Sequence, residues 1–222
     1  MTTKNDTQPR RSRGRPSTFD RTVALNQAMN LFWEQGYEGT SFDQLIQAMG
    51  ISPSSFYNSF GNKEQLYKEA TDAYLSWSGA WFAGELFGTA DTREAFKKLL
   101  DATVVEFTRK SHPSGCMISL AGTHLAAELA SIRETMAEHR ANAEEMMAQR
   151  LRKGVEDGDL PSDTDVSALA AYYSAVTRGM AVQARDGAGP QKLKAIADIA
   201  MQAWPVQRRR EKAASPKGTR VG

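Results

Sequence analysis

The segment GISPSSFYNSFGNKEQLY, residues 50–67, constrains this chain more than any other stretch. Ahead of it, Phe42, Leu45, Ile46 and Met49 fall at helical spacing, and Gly50 can take the left-handed conformation that ends such a helix. Ser52 can cap a new helix whose first residue is Pro53, and Gly61 stops it after about two turns. Asn62, with Gln65 three residues on, opens the next helix. Two helices joined by about three residues have the form of a helix-turn-helix.

On the short helix, Ile51, Phe56 and Phe60 are expected to pack inward against Phe42, Ile46 and Leu66, leaving Pro53, Ser54, Ser55, Tyr57, Asn58 and Ser59 on or near the outer side. Small polar side chains let a helix enter a major groove closely. There serine can bond base edges or phosphate, asparagine can pair with adenine, and Pro53 can touch a thymine methyl. Lys63 sits in a first helical turn, where a cation is unfavourable unless something negative lies opposite; a DNA phosphate would supply it. Thr40 and Ser41, at the start of the preceding helix, offer hydroxyl and backbone donors to another phosphate. The competing reading is an ordinary helical hairpin with a polar outer face. Against it, Pro, Ser, Ser, Asn and Ser are poor helix-forming material for a surface without a partner.

Apolar spacing is helical almost everywhere, and few stretches alternate as strands do, so the chain reads as all-α. A first helix is expected near 20–36, where Leu25, Ala28, Met29 and Phe32 share one face and Gly36 is a natural stop. A second covers 41–49, with Ser41 and Gln44 in the form of a capping box. Further helices are expected near 62–85, 91–110, 116–128, 132–156, 163–186 and 190–204. Asp91 with Glu94 and Ser131 with Glu134 read as helix starts. The acidic segment DGDLPSDTD, 157–165, lacks the glycine and glutamate of an EF-hand and reads as a loop, with Ser162 capping the next helix.

Charge is uneven behind a net +2. Residues 1–21 hold six basic side chains (Lys4, Arg10, Arg11, Arg13, Arg15, Arg21) against Asp6 and Asp20; residues 205–222 hold six (Arg208, Arg209, Arg210, Lys212, Lys217, Arg220) against Glu211. The body between them is net acidic. Two basic, Pro/Gly/Ser-containing ends on an acidic body suit a polyanion, with solubility as the bland alternative. Within residues 22–83 only Lys63 and Lys68 oppose Glu34, Glu38, Asp43, Glu64, Glu69 and Asp72. Affinity for DNA is therefore expected to draw on Arg10, Arg11, Arg13 and Arg15, placed to reach a minor groove or phosphates. The single cysteine, Cys116, excludes an internal disulfide and a cysteine-rich zinc site. With no signal-peptide pattern and no membrane-spanning run, a cytoplasmic protein without membrane insertion is expected.

Residues 24–70, ALNQAMNLFWEQGYEGTSFDQLIQAMGISPSSFYNSFGNKEQLYKEA, resemble the TetR/AcrR family of bacterial transcriptional repressors. The resemblance rests on Gly36-Tyr37, Thr40-Ser41, Ile46, Gly50-Ile51, Phe56-Tyr57, Phe60 and Lys63-Glu64. GRPSTFD, SGCMISLAG and ARDGAG, with Ala203-Trp204, are similar to one subgroup. It implies a three-helix DNA-binding domain, a connecting helix, and a larger helical domain that dimerises and encloses a small-molecule pocket. Tyr57 and Lys63 match phosphate-contacting positions of the family, and Pro53, Ser54, Ser55 and Asn58 lie on its recognition helix. Many members carry a basic residue and glycine where this chain has Pro53-Ser54, and an aromatic residue or histidine where it has Asn58-Ser59, so no operator sequence transfers. The expected division is a basic flexible arm over 1–17, the helix-turn-helix domain over 18–65, a ligand-binding and dimerisation domain over 66–204, and a basic flexible tail over 205–222.

In the regulatory half, Val166, Leu169, Ala170, Tyr173, Val176, Thr177 and Met180 face one way, as do Leu193, Ile196, Ala197, Ala200 and Trp204. These stripes suit an intramolecular core or a four-helix dimer seam, and the family resemblance favours a homodimer through 163–186 and 190–204. Candidates for lining an effector pocket are Trp77, Trp81, Phe107, Met117, His124, Met147 and Tyr173. The effector is unidentified. His124 and Glu128 at i, i+4 are too few ligands for a metal site, and no cofactor is implied. Cys116, after Gly115 at a helix start, is either a small buried residue or a thiol made reactive by the helix dipole.

The expected function is a DNA-binding regulator, a dimeric repressor of a palindromic site released by a small molecule. The alternatives are a nonspecific nucleic-acid binder using its basic tails and a thiol-based redox or electrophile sensor acting through Cys116. An enzyme is not expected, since no nucleophile with base and orienting group and no phosphate loop appears.

Overall fold

The computed structural model describes residues 19–122 and 125–205. Among these residues the secondary structure is helical, with no strand. The helices are α1 (Arg21–Gly39), α2 (Phe42–Met49), α3 (Pro53–Phe60), α4 (Lys63–Phe87), α5 (Thr92–Phe107), α6 (Met117–Leu120), α7 (Ala130–Glu156), α8 (Val166–Arg185) and α9 (Pro190–Gln202). A 3-10 turn, Ala127–Leu129, leads into α7.

The local signals around the helix-turn-helix act as their chemistry requires. Ser41 and Gln44 form a complete capping box on α2, and Asn62 and Gln65 form another on α4. Gly50 ends α2 in the left-handed region at φ 64° and ψ 33°, which a side chain would resist. Ser52 accepts from the Ser55 amide with Pro53 opening α3. Gly36 breaks α1 with φ 74° and ψ 175°, and one further turn carries the chain to Gly39.

Three expectations are corrected. The helix expected over 116–128 is only Met117–Leu120: Ala121 turns to extended backbone (φ −85°, ψ 147°), and Gly122 follows in the left-handed region (φ 76°), where a side chain would crowd Met136. Ser131 caps nothing: α7 runs on from the 3-10 turn ahead of it, and its hydroxyl donates to Glu64 Oε1 at 2.9 Å. Asp165, rather than Ser162, caps α8, because 161–164 form a turn closed by the Thr164 hydroxyl on the Pro161 carbonyl.

Two apolar cores result. One holds Ala28, Phe32, Trp33, Leu45, Phe56, Phe60 and Leu66 of α1 to α4, together with Met117, Ile118, Ile132 and Met136. The other holds Phe96, Leu99, Leu100, Leu151, Tyr173, Met180, Leu193, Ala197 and Trp204. The apolar stripes of α8 and α9 named above are therefore largely consumed inside one chain. At the seam of α4, α5 and α7, Arg150 is 2% exposed and donates to the carbonyls of Leu86, Thr89 and Ala90 and to Thr92 Oγ1. Asp159 completes this cluster by accepting from the Thr92 amide and hydroxyl at 2.9 and 2.8 Å.

Candidate nucleic-acid interface and regulatory cavity

Ile51, Phe56 and Phe60 are buried, with the Phe42 and Phe56 rings edge to face at 5.0 Å. This seats α3 so that Pro53, Ser54, Tyr57 and Asn58 are exposed and Ser55 and Ser59 half-buried. Tyr57 is 57% exposed, and its ring stacks on Phe42 at 5.4 Å, which aims the hydroxyl outward from a supported ring. Ser52 Oγ lies 2.9 Å from both Ser54 Oγ and Ser55 Oγ, so these two hydroxyls are gathered on the cap of their own helix. A base edge would have to draw them from that arrangement.

Thr40 does not offer its side chain to a phosphate. It is fully buried, and its hydroxyl donates to the Gly36 carbonyl at 2.7 Å, tying off the break in α1. Ser41 remains exposed. Lys63 Nζ lies 4.4 Å from the centre of the Tyr37 ring, a cation–π contact across α1 and α4. Burial lowers the Lys63 pKa from its ordinary value, with Glu38 acting the other way, and burial raises that of Tyr37 with help from Glu64. Spacing alone does not reveal this partnership, since Tyr37 and Lys63 belong to different helices.

The acidity of residues 22–83 is partly cancelled by cations outside that window. Arg21 meets Glu69 at 2.6 Å, donates to the Ser59 carbonyl at the end of α3, and lies over the Phe60 ring. Arg185 approaches Glu34 at 3.3 Å; inside the window, Lys68 pairs with Asp72. Arg10, Arg11, Arg13 and Arg15 lie outside the described residues.

In the regulatory half, a cavity of about 290 Å³ lies among α4, α5, α6, α7 and α8. Trp81, Phe107, Met147 and Cys116 line it, as expected or, for Cys116, as a bonus of its position. Trp77, Met117 and Tyr173 do not. Trp77 is partly exposed and packs on His112 and Trp33; Met117 is buried in the first core; Tyr173 is buried against Phe96 and Trp204 in the second. His124 lies outside the described residues. Sequence reading missed His139, Arg140, Asn142 and Arg178, which also line the cavity. Charged residues on amphipathic helices ordinarily signal a solvent face, so only packing reveals them.

Cys116 is half-buried and caps a helix of only four residues, which supplies little of the dipole expected to activate its thiol. Its Sγ accepts from the Tyr74 hydroxyl at 3.2 Å. Desolvation holds the Tyr74 pKa well above the ordinary value, with Cys116 adding to it. The Tyr74 ring in turn packs edge-on against Trp33 of α1 at 4.9 Å, and Trp33 stacks on His112 at 4.6 Å. Cavity and DNA-binding helices thus share a wall.

A helix-turn-helix with an exposed second helix, followed by a helical domain with a cavity, is the arrangement of a regulator that contacts DNA through its N-terminal helices. Residues 24–70 match the family of bacterial regulatory proteins of tetR type, and residues 92–200 match the tetracyclin repressor-like C-terminal domain. The chain belongs to the TetR family and is a DNA-binding transcriptional regulator. It is 34% identical over 206 residues to the HTH-type transcriptional repressor ComR of Escherichia coli (strain K12), covering 92% of this chain and 98% of that protein. It is 25% identical to the HTH-type transcriptional repressor BdcR of the same organism, covering 86% and 91% of the two chains. A cysteine-substituted form of the TetR family regulator CifR, solved with 26-base-pair double-stranded operator DNA, superposes with a TM-score of 0.84 at 40% identity, covering 86% of this chain and all of that one. No helix among the described residues is long and apolar enough to cross a membrane.

Proposed function

We propose that this regulator is a dimeric, cytoplasmic repressor that binds a palindromic operator and is released by a small molecule occupying the cavity, with no catalytic role. The division of labour follows the chain: a basic arm over 1–17, the operator-reading unit over 18–65, effector binding and dimerisation over 66–204, and a basic tail over 205–222. The observation that carries the reading is the shared wall at Tyr74. Its hydroxyl meets Cys116 at the cavity, and its ring meets Trp33 of the DNA-binding helices. A ligand that binds better when this wall has shifted favours the shifted state by its difference in affinity.

For the dimer, the support is a face of α8 left outside the core: Ala171, Tyr172, Ala175, Gly179 and Val182 are exposed and uncharged, with Ile199 of α9 64% exposed. Small residues let two helices approach closely, and a two-fold seam would set two copies of α3 on successive major grooves about 34–36 Å apart. On each half-site, Pro53, Ser54, Ser55 and Asn58 meet bases, and Tyr57, Ser41, Lys63 and the four arm arginines meet phosphate or the minor groove.

Footprinting on DNA flanking its own gene, followed by mobility shifts at rising salt, tests this. A protected palindrome that survives excess competitor DNA is expected. Loss of the complex to competitor at equal mass would instead mean tail-driven nonspecific binding. Replacing Arg10, Arg11, Arg13 and Arg15 with alanine is expected to flatten the salt dependence by about 0.9 log unit per lost phosphate contact. Normal effector release in a Cys116→Ser variant would set thiol sensing aside.

A further inference from the structure

The fully charged groups lining the cavity are cationic, among hydroxyls and an amide that can donate or accept. None of its lining residues among those described is aspartate or glutamate, while Arg140 of α7 and Arg178 of α8 both reach it. Arg140 Nη1 donates to the carbonyls of Ile118 and Ala121 at 3.1 and 2.7 Å, and no carboxylate lies within ion-pair distance of Arg140 among the described residues. Arg178 donates to the Arg140 carbonyl and approaches Glu144, both at 3.4 Å; Glu144 lines an outer groove between α7 and α8, which Arg140 and Arg178 border as well as the cavity. Burial lowers the Arg140 pKa, and the neighbouring Arg178 lowers it further. Two half-buried cations, one with only a long contact to Glu144, border a cavity that no acid lines among the described residues, and that suits an anion.

Trp81 lines the cavity, while its Nε1 is closed off from accessible space. The surface from α4 and α5 is largely apolar, with Leu75, Phe82 and Phe107 beside the hydroxyls of Tyr74, Ser78 and Thr103. His139 also lines the cavity, and desolvation lowers its pKa, with Asp72 and Glu138 opposing, so near neutral pH it adds no full charge. The cavity, about 290 Å³, sits at the small end of the range of about 300–1,000 Å³ common for ligand sites.

Resting on the reading of this cavity as the effector site, we infer that its ligand is a small monocarboxylate with an apolar skeleton, the carboxylate held by Arg140 and Arg178 and the skeleton by the aromatic wall. Guanidinium suits carboxylate geometrically, because paired N–H groups match its two oxygens. Carboxylate binding also offsets the repulsion between the two arginines.

The test uses the full-length protein and three probes sharing one skeleton: octanoate, methyl octanoate and octylamine, titrated by calorimetry and by Trp fluorescence. Octanoate is expected to bind at least about tenfold more tightly than the ester, the scale of one charge-assisted hydrogen bond, and the amine most weakly. Arg178→Met, and separately Arg140→Met, is expected to weaken octanoate about tenfold while leaving the ester unchanged, which an unfolded variant would not do. An ester or amine that binds as tightly as the acid, or an acid preference that survives both substitutions, overturns the inference. Ala143→Trp, which fills the cavity, separates the two levels. If it abolishes binding of probes that show no acid preference, the effector site stands and the ligand class falls. If no probe binds, or if binding is indifferent to Ala143→Trp, the effector-site reading falls and takes the inference with it.

Discussion

The guanidinium of Arg185, at the end of α8, donates to the backbone carbonyl of Trp33 in α1 at 2.7 Å. It also reaches the Glu34 carbonyl at 3.1 Å. Both carbonyls lie just ahead of the break at Gly36, where a helix loses its regular donors. One side chain of the regulatory half thereby caps a helix of the DNA-binding half. Arg185→Ala is expected to cost about 1.5–3 kcal/mol, the range for hydrogen bonds to a charged donor, read from the midpoint of urea unfolding. Arg185→Lys, a single point donor, is expected to recover only part of the loss.

Arg150 satisfies three backbone carbonyls and Thr92 Oγ1 in a buried turn. Arg150→Met keeps much of the volume and strands those acceptors. A loss of at least about 3 kcal/mol is expected, since each unsatisfied buried group costs about 1–3 kcal/mol. Thermal and urea unfolding measure it. Gly154→Ala strikes the same cluster from α7: an added Cβ would meet Thr92 Oγ1 at 2.5 Å, and overpacking of this kind costs about 1–3 kcal/mol.

Thr40 and Ser41 are neighbours with opposite roles. Thr40→Val removes a fully buried hydroxyl that closes the turn on Gly36, so stability is expected to fall while operator affinity per folded molecule is unchanged. Ser41→Ala removes the α2 cap at about 1 kcal/mol and is expected to weaken operator binding as well. Comparing unfolding with mobility shifts distinguishes the two.

Asn58→Ala is expected to relax discrimination at one base pair, by about 1–3 kcal/mol, in a competition series over single-base operator variants. Lys63→Ala is expected to weaken all operators alike and to lower the salt slope by about one. A phosphate would raise the Lys63 pKa, which burial lowers in the free protein. Its contribution should therefore be complete below the free-protein value and fade as pH rises through the bound-state value. Affinity measured across the alkaline range checks this, with Lys63→Ala showing a flatter profile.

Where a signal is carried by neighbours in the chain, the sequence was legible. Ser41-Gln44, Gly50, Ser52-Pro53, Gly61 and Asn62-Gln65 each act within one helical turn, and each stands where its chemistry predicts. Two of the missed boundaries involve distant partners, while the third, the α8 cap at Asp165, follows a local turn between Pro161 and Thr164. Gly122 turns against Met136, and the Ser131 hydroxyl goes to Glu64. The helix expected over 116–128 ends at Leu120, where Ala121 leaves the helical region.

The same division runs through the function. Local chemistry is enough to establish a helix-turn-helix with an uncharged outer face, because caps, turns and apolar period are short-range. Which face of α8 stays outside the core, that Thr40 is buried, that Tyr37 holds Lys63, and that Arg140 and Arg178 border one cavity that no acid lines among the described residues were decided only by tertiary packing. An amphipathic pattern says that a side chain is on a helix face. It takes the packed neighbours to say whether that face meets water, another helix or a ligand, because burial and charge compensation are properties of residues far apart in the chain.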